Sequence, residues 1–112
     1  MKKKPIQLNS LQRRTLALFQ LLARNPQSST RDEITGDVTI SYLPEPHGDH
    51  IHIGAYVVSA QEASGFANEA VWRALERKGL ITQFTFPIQA TLSHQALDLD
   101  TGLADQFEAS DH

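Results

Sequence analysis

The stretch Val71-Trp-Arg-Ala-Leu-Glu-Arg-Lys-Gly-Leu-Ile81 decides how this chain is read. Its basic end, Arg77-Lys78, is followed by Gly79. Glycine takes the left-handed conformation that closes a helix without a steric penalty. Leu75 and Leu80 stand where the apolar contact of a Schellman motif belongs. Upstream, Ser59 and Glu62 have the spacing of a capping box. Together these signals predict one helix from Ser59 to Lys78. Ala60, Ala63, Ala67, Ala70, Val71 and Ala74 share one face, and so many alanines allow close packing. Trp72 and Leu75 project from another side, with Gly65 and Asn68 nearby, so the helix is expected to touch both a sheet and a second helix.

Downstream, Leu80 to Leu92 alternates, with Leu80, Phe84, Phe86, Ile88, Ala90 and Leu92 of one parity. That run is long for a strand, and Pro87 interrupts its ladder. Two short strands follow, at 80–85 and 88–92, with a turn between. Ser93 opens a polar segment. Residues 98–112 read as an acidic, mobile tail. The alternative there is a short docked helix, since Leu99, Leu103 and Phe107 fall at i, i+4, i+8.

Upstream, Asp37 to Leu43 alternates, with Val38, Ile40 and Tyr42 on one side. His50 to Val58 alternates again: Ile51, Ile53, Ala55 and Val57 share one face, and His50, His52, Gly54 and Tyr56 the other. Pro44 to Asp49 is a turn by composition. The pair reads as one β-hairpin whose apolar face needs a helix to cover it. That helix is expected from Asn9 to Arg24, with Asn9 as N-cap and Gln12 completing a capping box. Leu11, Leu18 and Leu22 fall at helical spacing, Leu16, Phe19 and Leu21 widen the apolar surface, and Asn25-Pro26 stops the helix. Residues 27–32 read as a loop and 1–7 as a flexible basic arm. The expected class is α+β: helix, β-hairpin, helix, strand pair, in one domain over residues 8–97.

Composition narrows the function. The 112 residues suffice for one domain. Cysteine is absent, which excludes disulfides, thiolate zinc sites and a Cys nucleophile. No apolar run approaches the roughly 18 residues of a membrane-spanning helix. The start, Met1-Lys-Lys-Lys-Pro5, lacks the apolar stretch of a signal peptide, so a cytoplasmic address is expected. Net charge is −3. Asp98, Asp100, Asp105, Glu108 and Asp111 crowd the last stretch, where no Lys or Arg stands. The rest of the chain is slightly basic.

The run Val71 to Ile81 resembles the end of a winged-helix recognition helix. In that superfamily a leucine, charged residues and Gly-Leu-Ile lead from the recognition helix into the wing. Ala90-Thr-Leu-Ser93 is similar to the wing's returning strand. The resemblance covers about residues 60–93, with the first helix as a fitting partner, and implies a winged-helix-like two-layer arrangement. A winged helix carries its own second helix just before the recognition helix, whereas this stretch reads as one helix from Ser59. The resemblance implies DNA as a partner.

Three sites follow from the residues. For nucleic acid, Arg73, Arg77 and Lys78 on the second helix and Lys2, Lys3 and Lys4 in the arm supply phosphate contacts. Glu62, Glu69 and Glu76, at seven-residue spacing, oppose a polyanion there, and Glu69 with Arg73 makes an ordinary i,i+4 pair. For a metal, His47, Asp49, His50 and His52 are the densest set of ligands. The imidazoles of His50 and His52 share one strand face, with β-carbons about 7 Å apart, and the set suits zinc. The competing reading is a polar hairpin face. For a protein partner or a homodimer, Trp72 beside Gly65 offers an anchor, unless the first helix covers Trp72 within the same monomer. No nucleophile elbow or phosphate-binding glycine loop is present, so the expectation is a non-enzymatic binding module without a cofactor.

Overall fold

The computed structural model describes residues 6–41, 43–44, 48–53, 56–103 and 108–109. Helices pack on antiparallel sheets, an α+β fold. Helix α1 spans Ser10–Ala23. Its start is the expected capping box: the Gln12 N–H donates to Asn9 Oδ1 at 2.8 Å, and the Asn9 N–H donates to Gln12 Oε1 at 3.1 Å. Leu16, Leu18, Phe19 and Leu22 are buried along its inner face.

After α1 the chain does not run as a loop. Ser29–Arg31 forms strand β1, which pairs antiparallel with β2, Val38–Ile40. Ser28 and Ser29 donate their hydroxyls to the carbonyls of Leu22 and Ala23, closing the end of α1. Strand β1 carries no apolar residue, so alternation could not reveal it. Between β1 and β2, Asp32 Oδ1 accepts from the N–H groups of Ile34 and Thr35, and Gly36 supplies a positive φ of 79°.

The expected hairpin between residues 37–43 and 50–58 does not form. Strand β2 pairs with β1 and with β6, Gln89–Leu92. The second segment folds on itself, as β3, His50–Ile53, and β4, Tyr56–Ser59. The reversal resets the alternation. Ile51 and Ile53 point into the core as expected, but on β4 the buried residue is Val58, opposite Ile51, rather than Val57. Strand β7, Glu108–Ala109, adds to the outer side of β4.

The long second helix is also divided. Ser59 is the last residue of β4, and its Oγ accepts from the Glu62 N–H at 3.1 Å, capping a turn rather than a helix. A 3₁₀ turn follows at Ser64–Ala67. Asn68, in extended conformation, then caps helix α2, Glu69–Arg77, by accepting from the Ala70 N–H at 3.1 Å. The cause is tertiary. Gly65 lies against α1 so closely that a Cβ there would sit 1.8 Å from Thr15 Oγ1. The same glycine's carbonyl accepts from Trp72 Nε1 at 3.0 Å. Helix α2 therefore buries Val71, Trp72, Ala74 and Leu75, while Ala67 and Ala70 of the predicted alanine face are exposed.

The end of α2 is as predicted. Gly79 has φ 78°, its N–H donates to the Glu76 carbonyl, and the Leu80 N–H donates to the Leu75 carbonyl, both at 3.0 Å. These are the two bonds of a Schellman motif. Strand β5, Ile81–Thr85, turns through Phe86-Pro87-Ile88 into β6. The four-stranded sheet has the order β1-β2-β6-β5. Thr39 on β2 and Thr91 on β6 share a hydroxyl hydrogen bond of 2.9 Å across the ladder. The polar segment after β6 holds helix α3, His94–Asp98, capped by Ser93. Gln20 of α1 holds this region down, its Nε2 donating to the carbonyls of Ala96 and Leu99, each at 2.8 Å.

The core centres on Trp72, which is fully buried. Phe19, Phe84 and Phe86 meet it edge-on, at ring-centroid distances of 5.3, 5.6 and 5.1 Å. Such contacts add to the burial energy of the rings. Among the described residues no helix is long and apolar enough to cross a membrane.

Candidate nucleic-acid face and histidine pair

Arg73, Arg77 and Lys78 all stand exposed on the outer side of α2. Arg73 is engaged: its Nε donates to Glu69 Oε2 at 2.8 Å, a second guanidinium nitrogen bonds the same oxygen, and its guanidinium lies 5.9 Å from the Phe84 ring centroid. Arg77 and Lys78 make no ion pair among the described residues. They sit at the negative end of the helix dipole, an arrangement that also stabilises a helix with no ligand. The carboxylate stripe is shorter than expected. Glu62 lies in the turn before the 3₁₀ segment, so only Glu69 and Glu76 belong to α2. Lys2, Lys3 and Lys4 lie outside the described residues.

The hairpin β3–β4 brings two of the four expected metal ligands together. His50 and His52 stand on the outer face of β3, opposite Ser59 and Val57 of β4. Their Nε2 atoms are 3.2 Å apart, and their rings meet edge-on at 4.9 Å between centroids. Asp49 does not join the pair at that point. Its Oδ1 lies 3.3 Å from His50 Nδ1, on the far side of the ring. Among the described residues no three side chains of His, Asp or Glu converge as a metal set. His47 lies outside the described residues.

Trp72 and Gly65 do not form a surface anchor. Trp72 is buried within the monomer against Phe19 of α1, and its indole N–H is taken by Gly65. Phe19 and Leu22 had to bury against something other than the small sheet, and the amino-acid pattern contained that alternative. The close pair Thr15–Gly65, by contrast, is missed by periodicity. Only the glycine in an apolar context signals it.

Comparison with known proteins returned no match: no protein-family model, no curated protein and no solved structure matches the chain.

Proposed function

We propose that this chain is a small, non-enzymatic binding module of winged-helix-like build, and that its partner is nucleic acid. One observation carries the reading. Helix α2 is preceded by a short helical turn, Ser64–Ala67, and is followed through Gly79 by the hairpin β5–β6, with Arg73, Arg77 and Lys78 exposed on its outer side. The short turn stands where a winged helix has its second helix, and the hairpin stands where it has its wing. Arg77 and Lys78 then neutralise phosphate, while Glu69 keeps Arg73 partly occupied. A cytoplasmic address belongs to the same proposal.

The test is fluorescence anisotropy with a mixed-sequence DNA duplex, with salt varied. Binding is expected to weaken as salt rises. The double variant Arg77→Glu, Lys78→Glu is expected to weaken it further and to flatten the dependence. Losing two phosphate contacts lowers the slope of log K against log salt by about 1.8. The reading is overturned if the wild-type chain leaves the duplex free, or if the charge-reversed variant binds as the wild type does.

A further inference from the structure

The geometry points to a divalent-metal chelate on the β3–β4 hairpin, with His50 and His52 as its ligands among the described residues and zinc as the ion. The site is separate from the α2 face and stands or falls on its own.

Strand geometry comes first. Residues two apart on a strand point to the same face. His50 and His52 therefore need no loop to bring them together, and both side chains rise from a single rigid element. The inner residues of that element, Ile51 and Ile53, are anchored in the core at 3 and 2% exposure. The imidazoles are thus held by a fixed backbone, which reduces the entropy lost when both close on one ion.

The spacing of the donor atoms is compatible with a shared ion. Zinc binds imidazole nitrogen at about 2.0–2.1 Å. Two such ligands at the tetrahedral angle stand about 3.4 Å apart, and at a right angle about 2.9 Å. The observed Nε2 separation of 3.2 Å lies nearer the tetrahedral value. A small outward shift brings the pair to a tetrahedral edge, and imidazole nitrogen is a donor that suits zinc.

Asp49 supplies the outer support. Its carboxylate oxygen lies 3.3 Å from His50 Nδ1. Metal-binding histidines commonly donate their second ring N–H to a carboxylate, which fixes the tautomer and raises the basicity of the ligating nitrogen. With the proton on Nδ1 facing Asp49, His50 presents the Nε2 lone pair toward His52. When zinc enters, His52 carries its proton on Nδ1 and both Nε2 lone pairs face the ion. His52 also borders a depression of about 380 Å³ shared with Asn25, Gln27 and Ser28.

The experiment titrates zinc chloride into the full-length, nitrogen-15-labelled chain and follows the imidazole nitrogens. One equivalent of zinc is expected to shift Nε2 of His50 and of His52 together, in a saturable manner. The double variant His50→Ala, His52→Ala is expected to abolish that binding, with the Trp72 indole N–H resonance unmoved as the sign of an intact fold. Asp49→Asn is expected to weaken zinc by up to about tenfold, its carboxylate being exposed, and His94→Ala to leave it unchanged. The inference is overturned if zinc moves neither imidazole, or if binding survives the double histidine variant.

Discussion

The hairpins β5–β6 and β3–β4 have strands of similar length and the same antiparallel pairing, yet they do opposite work. Strand β6 lies inside a four-stranded sheet, and Ala90, Thr91 and Leu92 are all buried. Its neighbour β5 and the turn after it send Phe84 and Phe86 onto Trp72. Hairpin β3–β4 is buried on one side only, through Ile51, Ile53 and Val58. Its other side carries imidazoles. The first hairpin is part of the core's packing, so its residues are constrained by volume. The second keeps one face for the core and leaves the other to chemistry. A small domain has little surplus stability, on the order of 5–15 kcal/mol, and separating the two tasks keeps ionisable side chains out of the core among the described residues.

The sharpest way to break this contrast is at Trp72. Truncating Trp72→Ala removes the ring that joins α1, α2 and the β5–β6 hairpin. Replacements of that kind cost about 3–5 kcal/mol, a large share of the total. Urea denaturation is expected to show a strongly lowered midpoint. A midpoint near that of the wild type would mean that the aromatic cluster does not hold the body together.

Next in size is Gly65→Ala. The added methyl meets Thr15 Oγ1 at 1.8 Å and Thr15 Cβ at 2.9 Å, so α1 and the 3₁₀ turn must separate. Overpacking of this type costs about 1–3 kcal/mol. Thr15→Ala in the same chain removes two of the three clashing atoms, so the double variant is expected to be more stable than Gly65→Ala alone. Additive losses in the denaturation midpoints would show that the two residues do not press on each other. The hairpin provides the counterpoint: a Cβ added at Gly48, beside β3, would meet nothing within 4 Å, and the constraint there is the backbone's positive φ of 67° rather than packing.

How much of this was legible in the sequence follows the same division. The caps of α1 and the close of α2 are local events, and Asn9, Gln12, Gly79 and Leu80 announced them. The β5–β6 turn was marked by Pro87, which breaks an otherwise continuous alternation. Between Ile53 and Tyr56 the only breaker is Gly54, and a lone glycine inside an alternating run does not by itself tell a reversal from a continuous strand, so the period predicts one strand where there are two. The pairing of β2 with β6 joins residues some fifty positions apart, which nothing local encodes. The break before α2 depends on Thr15 pressing on Gly65, a contact between distant segments. At the candidate sites, the shared face of His50 and His52 followed from the strand period alone. The position of Asp49 on the far side of the His50 ring did not, because it is a matter of side-chain rotation.

The smallest expected effect sharpens the contrast most. His52 is exposed on β3, and its backbone neighbours Ile51 and Ile53 supply the burial that holds the strand. Substitutions at surface positions usually change stability by less than about 0.5 kcal/mol. His52→Ala is therefore expected to unfold in urea with a midpoint close to that of the wild type, while Trp72→Ala does not. The two measurements share one assay, so their ratio is insensitive to the choice of denaturant. A loss at His52 approaching that at Gly65 would mean that the imidazole pair is itself part of the hairpin's packing. In that case the outer face of β3–β4 would be structural, and the distinction between a hairpin that builds the core and one that carries chemistry would disappear.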